Sequence, residues 1–163
     1  MVAKPYMLTD EGLGRLSEEL KELKTAGRER LAERLSQALE DGPDDDFIDN
    51  AELEAARNDQ AFLEGRIEKL ELILSNYSLI NDSKVVKSRV SIGAYVTIVE
   101  EGFDEKETYH LVGAAEADPV DGRISNESPL GLELLGKKKG ETVQIKAPNG
   151  SISFQIVKIK YLD

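Results

Sequence analysis

The chain has 163 residues, 40% of them hydrophobic, which leaves room for one ordinary domain or two small ones and argues against a large self-contained active-site cavity. It has no cysteine and one histidine, which excludes disulfides, thiolate metal sites and His clusters, and its net charge of -11 argues against autonomous binding to duplex DNA. No apolar run approaches the ~18 residues of a membrane span, and Met1 to Thr9 lack the apolar core of a signal peptide, so we expect a cytoplasmic protein without membrane contact.

A first helix is predicted from about Thr9 to Asp41, because apolar residues recur every three or four positions on one face. These residues are Leu13, Leu16, Leu20, Leu23, Leu31, Leu35 and Ala38. Their alternating spacing is the heptad pattern of a coiled coil. Thr9 is the predicted N-cap, and Asp10 and Glu11 follow in the first turn, where acids suit the helix dipole.

A second helix of the same kind is predicted to start after Asn50, its expected N-cap, with apolar residues at Ala56, Leu63, Ile67, Leu70, Leu74 and Tyr77. Gly42 and Pro43 end the first helix, so the two must pack as an antiparallel hairpin with residues 40–49 at its tip. The tip contains Glu40, Asp41, Asp44, Asp45, Asp46 and Asp49 and no Lys or Arg. Like charges at the end of a rod cost stability, which argues against a plain dimerising coiled coil or spacer.

The second half of the chain has the pattern of a β-rich domain. Strands are predicted at residues 90–98, 108–112, 142–146 and 151–160, the last two flanking a Pro148-Asn149-Gly150 turn. Ser128 as cap, Pro129 at the first helical position and Gly136 at the end predict one short helix. The sequence therefore predicts an α+β protein, with an α-helical coiled-coil hairpin over residues 1–80 and a compact β-rich domain over residues 81–163.

Three segments carry a more specific signal: Met7-Leu8-Thr9-Asp10-Glu11-Gly12, Asn50-Ala51-Glu52-Leu53-Glu54-Ala55-Ala56-Arg57, and Ile124-Ser125-Asn126-Glu127-Ser128-Pro129-Leu130-Gly131. In this order they resemble the Gre transcript-cleavage factors of bacteria (GreA type). The resemblance implies a coiled coil that enters the secondary channel of bacterial RNA polymerase and an FKBP-like domain that docks at the channel entrance. It implies an accessory factor, not an enzyme, which stimulates the polymerase's own cleavage of the RNA 3′ end in backtracked complexes.

The resemblance also implies which residues act. Asp46 and Asp49 match the two acidic tip positions of the family and would hold Mg²⁺ shared with the polymerase active site. Two-metal hydrolysis needs carboxylates to hold the ions, and Mg²⁺ often takes only one or two carboxylates plus substrate phosphates, so the free protein should bind it weakly. The remaining implied contacts are those of Arg57 with the RNA 3′ end, and those of Asn126, Ser128 and Pro129 with the polymerase.

The tip departs from the family pattern in ways that leave a second reading open. Pro43-Asp44-Asp45 looks like an insertion of about three residues, and Leu39 stands where many members have a basic residue. A Gre-fold relative that inhibits the polymerase also has an Asp-rich tip, so inhibition is the alternative to cleavage stimulation. Asp49-Asn50-Ala51-Glu52 stays close to the cleavage-factor form and favours stimulation.

Two other functions, calcium binding and prolyl isomerisation, fit the sequence less well. The consecutive Asp44, Asp45 and Asp46 followed by Phe47 do not fit the alternating ligands of a calcium loop. An FKBP-like fold does not by itself make a prolyl isomerase, and the second half has few aromatic residues to line a proline pocket. We expect His110 to be a strand residue and not a catalyst.

Overall fold

The computed structural model describes residues 2–41, 50–80 and 84–162. The chain divides into two compact units, Leu13–Asn76 (the hairpin unit) and Met1–Gly12 together with Tyr77–Asp163 (the sheet unit). The first residues of the chain thus belong with its second half, which differs from the division at residue 80 suggested by the sequence. The reason is that β1 (Tyr6–Leu8) pairs in parallel with β2 (Tyr77–Leu79). In the described part of the chain, no helix is both long and apolar enough to cross a membrane.

The hairpin unit contains two antiparallel helical arms, as predicted. The first arm consists of α1 (Asp10–Glu22), which starts in the sheet unit, a π-helical turn (Leu23–Gly27) and α2 (Arg28–Glu40), and the second arm is α3 (Ala51–Ser75). Glu19 near the start of the first arm pairs with Arg66 of α3, whereas Arg34 near its end pairs with Glu52. Residue numbers therefore rise along one arm as they fall along the other, which confirms the hairpin.

The π turn accounts for an irregularity in the apolar spacing of the first arm. The step from Leu23 to Leu31 is one residue longer than a heptad, which in a regular helix would rotate the following residues off the seam. A π turn closes i→i+5 hydrogen bonds and so accommodates one extra residue. Leu31 and Leu35 consequently remain half-buried, and Ala38 is buried.

The seam between the arms is narrow and is flanked by ion pairs. Its buried apolar residues are Leu16, Ala38, Ala56, Ile67, Leu70 and Ile73. Exposed pairs link the arms along the seam: Glu19 with Arg66, Lys24 with Glu71, Arg28 with Glu64, and Arg34 with both Glu52 and Asp59. The hairpin is thus held by a thin apolar stripe and by charges on its surface.

The sheet unit is built on a five-stranded mixed sheet with the order β5-β4-β3-β7-β6. Its strands are β3 (Tyr95–Glu100), β4 (Lys106–Val112), β5 (Arg123–Ser125), β6 (Thr142–Ala147) and β7 (Gly150–Lys160). The β4/β5 pair is parallel and the other pairs are antiparallel. The strand predicted at residues 90–98 is wrong in its first half, because Gly93, with φ of 99°, makes a turn there.

The core of the sheet unit lies between the sheet and α4 (Pro129–Leu134). It consists of Val90, Ala94, Val96, Ile98, Leu111, Leu134, Val143 and Ile156. The Gly131 amide donates to the Ser128 hydroxyl at 3.1 Å, and Gly136 follows the helix with φ of 78°, so the predicted cap and stop are confirmed. The predicted α+β class, a helical hairpin followed by a β-rich domain with one short helix, is confirmed as well.

Candidate functional site at the hairpin end and the signature loop

The two acids assigned to the tip, Asp46 and Asp49, fall outside the described residues, as does the whole of residues 42–49. Their positions and the expected Mg²⁺ therefore stay predictions. In the described ranges, no group of three or more His, Asp or Glu side chains could hold a metal ion. The chemistry of the pair itself fits, because carboxylate oxygens are the hard ligands that Mg²⁺ takes.

Asn50 fixes the base of the tip by joining the two arms. Its backbone is extended, and its side-chain oxygen accepts a hydrogen bond from the Leu53 amide at 3.0 Å, which confirms the predicted cap of α3. The side-chain amide of the same residue donates to the Ala38 carbonyl of α2 at 2.8 Å. Asn50, the residue directly after Asp49, thus bonds a free backbone amide of α3 and a free backbone carbonyl of α2.

Arg34 lies on α2 close to this base and engages two acids of α3. Its guanidinium donates to Glu52 at 3.0 Å and also bonds Asp59. The hydrogen bond to Glu52 and the nearby negative charges raise the pKa of Arg34. Glu52 and Asp59 are therefore committed to the hairpin, although Glu52 belongs to the family-like segment after the tip.

Arg57 differs from the arginines that link the two arms. It is exposed on α3, about two turns from Asn50, and in residues 2–41, 50–80 and 84–162 its side chain has no hydrogen-bonding or ion-pair partner. Arg28, Arg34 and Arg66, by contrast, each pair with an acid of the opposite arm. Within the described ranges, no acid is bound to the Arg57 guanidinium.

The signature loop, residues 126–129, connects β5 to α4 and is held by internal hydrogen bonds. The Asn126 amide donates to Val112, and the Ser128 hydroxyl donates to the Ser125 carbonyl at 2.6 Å while capping α4. A side chain at Gly131 would overlap the same Ser125 carbonyl. Ser128 thus has a structural role that the sequence pattern also indicated, whereas Pro129 is exposed and free to meet a partner.

One polar contact was missed by sequence reasoning. Glu116, in a 3₁₀ turn (Ala114–Glu116) after β4, is buried and accepts two hydrogen bonds from Thr9 at the start of α1. A lone acid among alanines carries no local signal that predicts such a contact, since its partner is 107 residues away.

The sheet unit also contains a pocket of about 230 Å³, lined in part by Tyr95, His110 and Tyr161. His110 lies in β4, is mostly buried, and stacks on Tyr95 with ring centroids 4.0 Å apart. The expectation that His110 is a strand residue is confirmed.

Comparison with known proteins covers both halves of the chain. A family model described as "Transcription elongation factor, N-terminal" matches residues 6–79, and one described as "Transcription elongation factor, GreA/GreB, C-term" matches residues 85–161. Transcription elongation factor GreA of Caldanaerobacter subterraneus is 45% identical over 98% of this chain and 99% of that protein. GreA of Thermoanaerobacter pseudethanolicus is 44% identical over the same shares.

Two solved structures were also matched. The Gfh1 (GreA factor homolog 1) protein of Thermus thermophilus is 31% identical, covers 96% of this chain and 99% of its own, and has a TM-score of 0.40. The GreA/GreB factor of Nitrosomonas europaea is 22% identical over 96% of this chain and 99% of its own, with a TM-score of 0.44.

Proposed function

The chain belongs to the GreA/GreB family of transcription elongation factors, and on that premise we propose that it inserts its hairpin into the secondary channel of bacterial RNA polymerase and stimulates cleavage of the RNA 3′ end in backtracked complexes. The polymerase performs the hydrolysis, and the chain is an accessory factor. The observation that carries the proposal is that Asp49 directly precedes Asn50, whose side chain joins both arms at the base of an acidic tip.

The carboxylates of Asp46 and Asp49 are proposed to hold Mg²⁺ together with oxygens of the RNA and of the polymerase. Magnesium held there would supply the water activation and charge neutralisation of a two-metal site. The protein's part is placement: Asn50, the residue that follows Asp49, fixes the first turn of α3 against α2. Arg34 engages Glu52 and Asp59, so these two acids do not compete for the metal.

Arg57 is proposed to contact the phosphates near the RNA 3′ end. It is exposed, lies close to the base of the tip, and has no partner in the described parts of the chain. A guanidinium presents several donors in one plane and binds phosphate oxygens in pairs. Such a contact would hold an extruded RNA end near the acids.

Docking to the polymerase is proposed to lie in the sheet unit at the signature loop. Asn126 and Ser128 hold the loop in one shape through their bonds to Val112 and Ser125, so little conformational entropy is lost when a partner binds. Pro129 and the neighbouring Leu132, which is 59% exposed, present apolar surface beside it. A factor that acts on RNA polymerase is expected in the cytoplasm, where transcription takes place.

The test is a transcript-cleavage assay on stalled polymerase with the full chain and with the variants Asp46→Asn and Asp49→Asn. Each variant should lower the stimulated cleavage rate about 100-fold or more, as losing one transition-state contact typically does, with unchanged affinity for the polymerase. Asp44→Asn is the matched control, because it removes the same charge from the apparent insertion and should retain most activity.

Full activity in both Asp46→Asn and Asp49→Asn would reject the assignment of these two acids. A wild-type chain that slows ordinary elongation and stimulates no cleavage would reject cleavage stimulation and support inhibition through the Asp-rich tip.

A further inference from the structure

The start of α1 is held by a buried carboxylate that the proposed function does not use. The Thr9 amide donates to one oxygen of Glu116 at 2.8 Å, and the Thr9 hydroxyl donates to the other at 2.7 Å. The same hydroxyl accepts a hydrogen bond from the Gly12 amide at 2.9 Å and so caps the helix. We call Thr9, Gly12 and Glu116 the clamp.

Gly12 is the residue that makes room for this carboxylate. A Cβ atom at position 12 would overlap the carboxylate carbon and oxygen of Glu116, whereas a Cβ atom at Gly14, in the same helix, would meet nothing. The nearest obstructed atoms, a carboxylate oxygen, the carboxylate carbon and Cγ, all belong to the Glu116 side chain and none to the backbone, so a methyl group at position 12 should displace that side chain. The clamp can therefore be opened without unfolding the unit.

Glu116 is itself anchored firmly in the sheet unit. Its amide donates to the Gly113 carbonyl at 3.1 Å, and the Arg123 guanidinium donates to its carbonyl at 3.1 Å. The residue is only 4% exposed. A buried carboxylate adds little net stability, because the cost of removing it from water offsets much of its attraction to its hydrogen-bond donors. One role that such a group can have is to fix one arrangement of the chain among several.

The clamp acts on the helix that leads to the tip. The first turn of α1 belongs to the sheet unit, and the helix continues along the chain into the first arm of the hairpin unit. Cleavage depends on delivering two carboxylates accurately to a distant active site, and a misplacement of about 1 Å can cost up to about 100-fold in rate.

We propose that Glu116 is a positioning residue: by holding the first turn of α1, it fixes where a docked factor delivers its tip. This inference rests on the proposed function and adds a residue to it. Glu116 touches neither RNA nor metal in this account. Its loss should therefore lower the maximal cleavage rate while leaving docking intact, which separates it from Asn126 and Pro129.

The experiment compares Gly12→Ala with Gly14→Ala in the full chain. Both changes replace a glycine of α1 by alanine, a better helix former, and only the first displaces Glu116. At saturating factor, Gly12→Ala should lower the cleavage rate about tenfold with affinity for the polymerase unchanged, whereas Gly14→Ala should match wild type. A second pair of variants changes the Thr9 side of the same contact. Thr9→Ala removes the hydroxyl that donates to Glu116 and should lower the cleavage rate to a similar extent, whereas Thr9→Ser keeps the hydroxyl and should cleave at the wild-type rate.

A second readout does not depend on cleavage. The chain has no cysteine, so Ser36→Cys, on the exposed face of α2, can carry an iron chelate that cuts polymerase near the hairpin end. With Gly14→Ala the cuts should coincide with those of the otherwise unchanged chain, and with Gly12→Ala or Thr9→Ala they should spread over more positions.

Equal rates and equal cutting patterns for Gly12→Ala and Gly14→Ala would overturn the proposal, as would equal impairment of the two. A melting temperature lowered by Gly12→Ala with an unchanged maximal rate would show a structural role only and would also overturn it. If the wild-type chain stimulates no cleavage, the proposed function fails, and the cutting patterns alone then decide whether the clamp positions the hairpin.

Discussion

The hairpin unit and the sheet unit are stabilised in different ways. In the sheet unit, eight buried residues from the strands, α4 and the segment before β3 form one contiguous core. In the hairpin unit, the buried residues are spread along a seam between two helices, and Arg28 and Glu64, a pair that links the arms, are each nearly half exposed. A two-helix hairpin cannot surround its apolar residues, so register and surface charge matter more there than in the sheet.

This difference suits the two tasks proposed for these units, docking and entry into a channel. A body with its own core can keep the signature loop in one shape while it binds a partner. A slender hairpin can enter a narrow channel, but it depends on correct seam register and on fixed ends, which Asn50 supplies at the base of the tip and Thr9 at the start of α1. The contrast predicts that substitutions of similar size should have unequal effects in the two units.

The largest effect is expected in the core of the sheet unit. Ile156 is fully buried in β7, and Ile156→Ala should lower the free energy of unfolding by about 4 kcal/mol through lost transfer energy and the cavity left behind. Every tyrosine of the chain lies in the sheet unit, so urea unfolding followed by tyrosine fluorescence reports this unit alone. Ile152→Ala, at a half-buried position of the same strand, is the control.

The contrast would be contradicted if Ile67→Ala, in the hairpin seam, lowered the stability of the hairpin unit by as much as Ile156→Ala lowers that of the sheet unit. Helical circular dichroism reports the first and tyrosine fluorescence the second. We expect the seam substitution to cost less, because neighbouring side chains of two exposed helices can shift into the space.

A smaller effect is expected from changes of register in the first arm. Deleting Thr25, an exposed residue of the π turn, should convert that turn to regular helix and leave Leu31, Leu35 and Ala38 on the seam. Stability should then stay within about 0.5 kcal/mol of wild type. Deleting Glu33 should rotate the residues that follow it off the seam and cost about 2 kcal/mol or more, as loss of a buried leucine does. Helical circular dichroism in urea measures both.

Equal destabilisation by the two deletions would contradict the role given to the π turn. It would mean that the turn is part of the seam's packing and not a means of absorbing one residue.

The features that could be predicted from the sequence are those set by local rules. The heptad spacing, the caps Thr9, Asn50 and Ser128, and the β6/β7 hairpin all depend on residues within a few positions of one another. The β1/β2 pair could not be predicted, because strands this short carry no pattern and their partners are far apart in the chain. The π turn was visible only as an irregular spacing, with nothing to show how a helix would absorb it.

The candidate site shows the same contrast between features that a local pattern predicts and features that depend on distant partners. Asp46, Asp49 and Arg57 came from a resemblance and not from geometry, and the two aspartates stay predictions because they lie outside the described residues. The structure adds what the pattern could not contain. It shows that Asn50 bonds both arms, and that Glu116 reaches Thr9 across 107 positions of the chain. Tertiary hydrogen bonds of this kind depend on how the whole chain folds, so no short segment predicts them.

The smallest effect is expected from a single ion pair on the hairpin surface. The two guanidinium hydrogen bonds from Arg28, at 2.9 and 2.8 Å, lower the pKa of Glu64 below its ordinary value of 4.5. A carboxyl whose pKa is lowered by folding stabilises the folded state above its ordinary pKa, and that contribution is lost as the pH falls through the lowered pKa. The pair is exposed, so the whole effect should be small and should weaken with added salt.

Glu64→Gln tests this directly, because the amide keeps the shape of the side chain and removes its charge. At about pH 7 the variant should melt at a slightly lower temperature than wild type, followed by helical circular dichroism. Below the ordinary glutamate range the two curves should converge, since protonated Glu64 is then as neutral as Gln. Glu33→Gln is the control: Glu33 is exposed on the first arm, which also carries Arg28, and has no ion-pair partner in the described residues, so its small effect should show no such convergence. A difference between Glu64→Gln and wild type that persisted at low pH would mean that the side chain contributes through packing, and the hairpin would then depend less on surface charge than its contrast with the sheet unit implies.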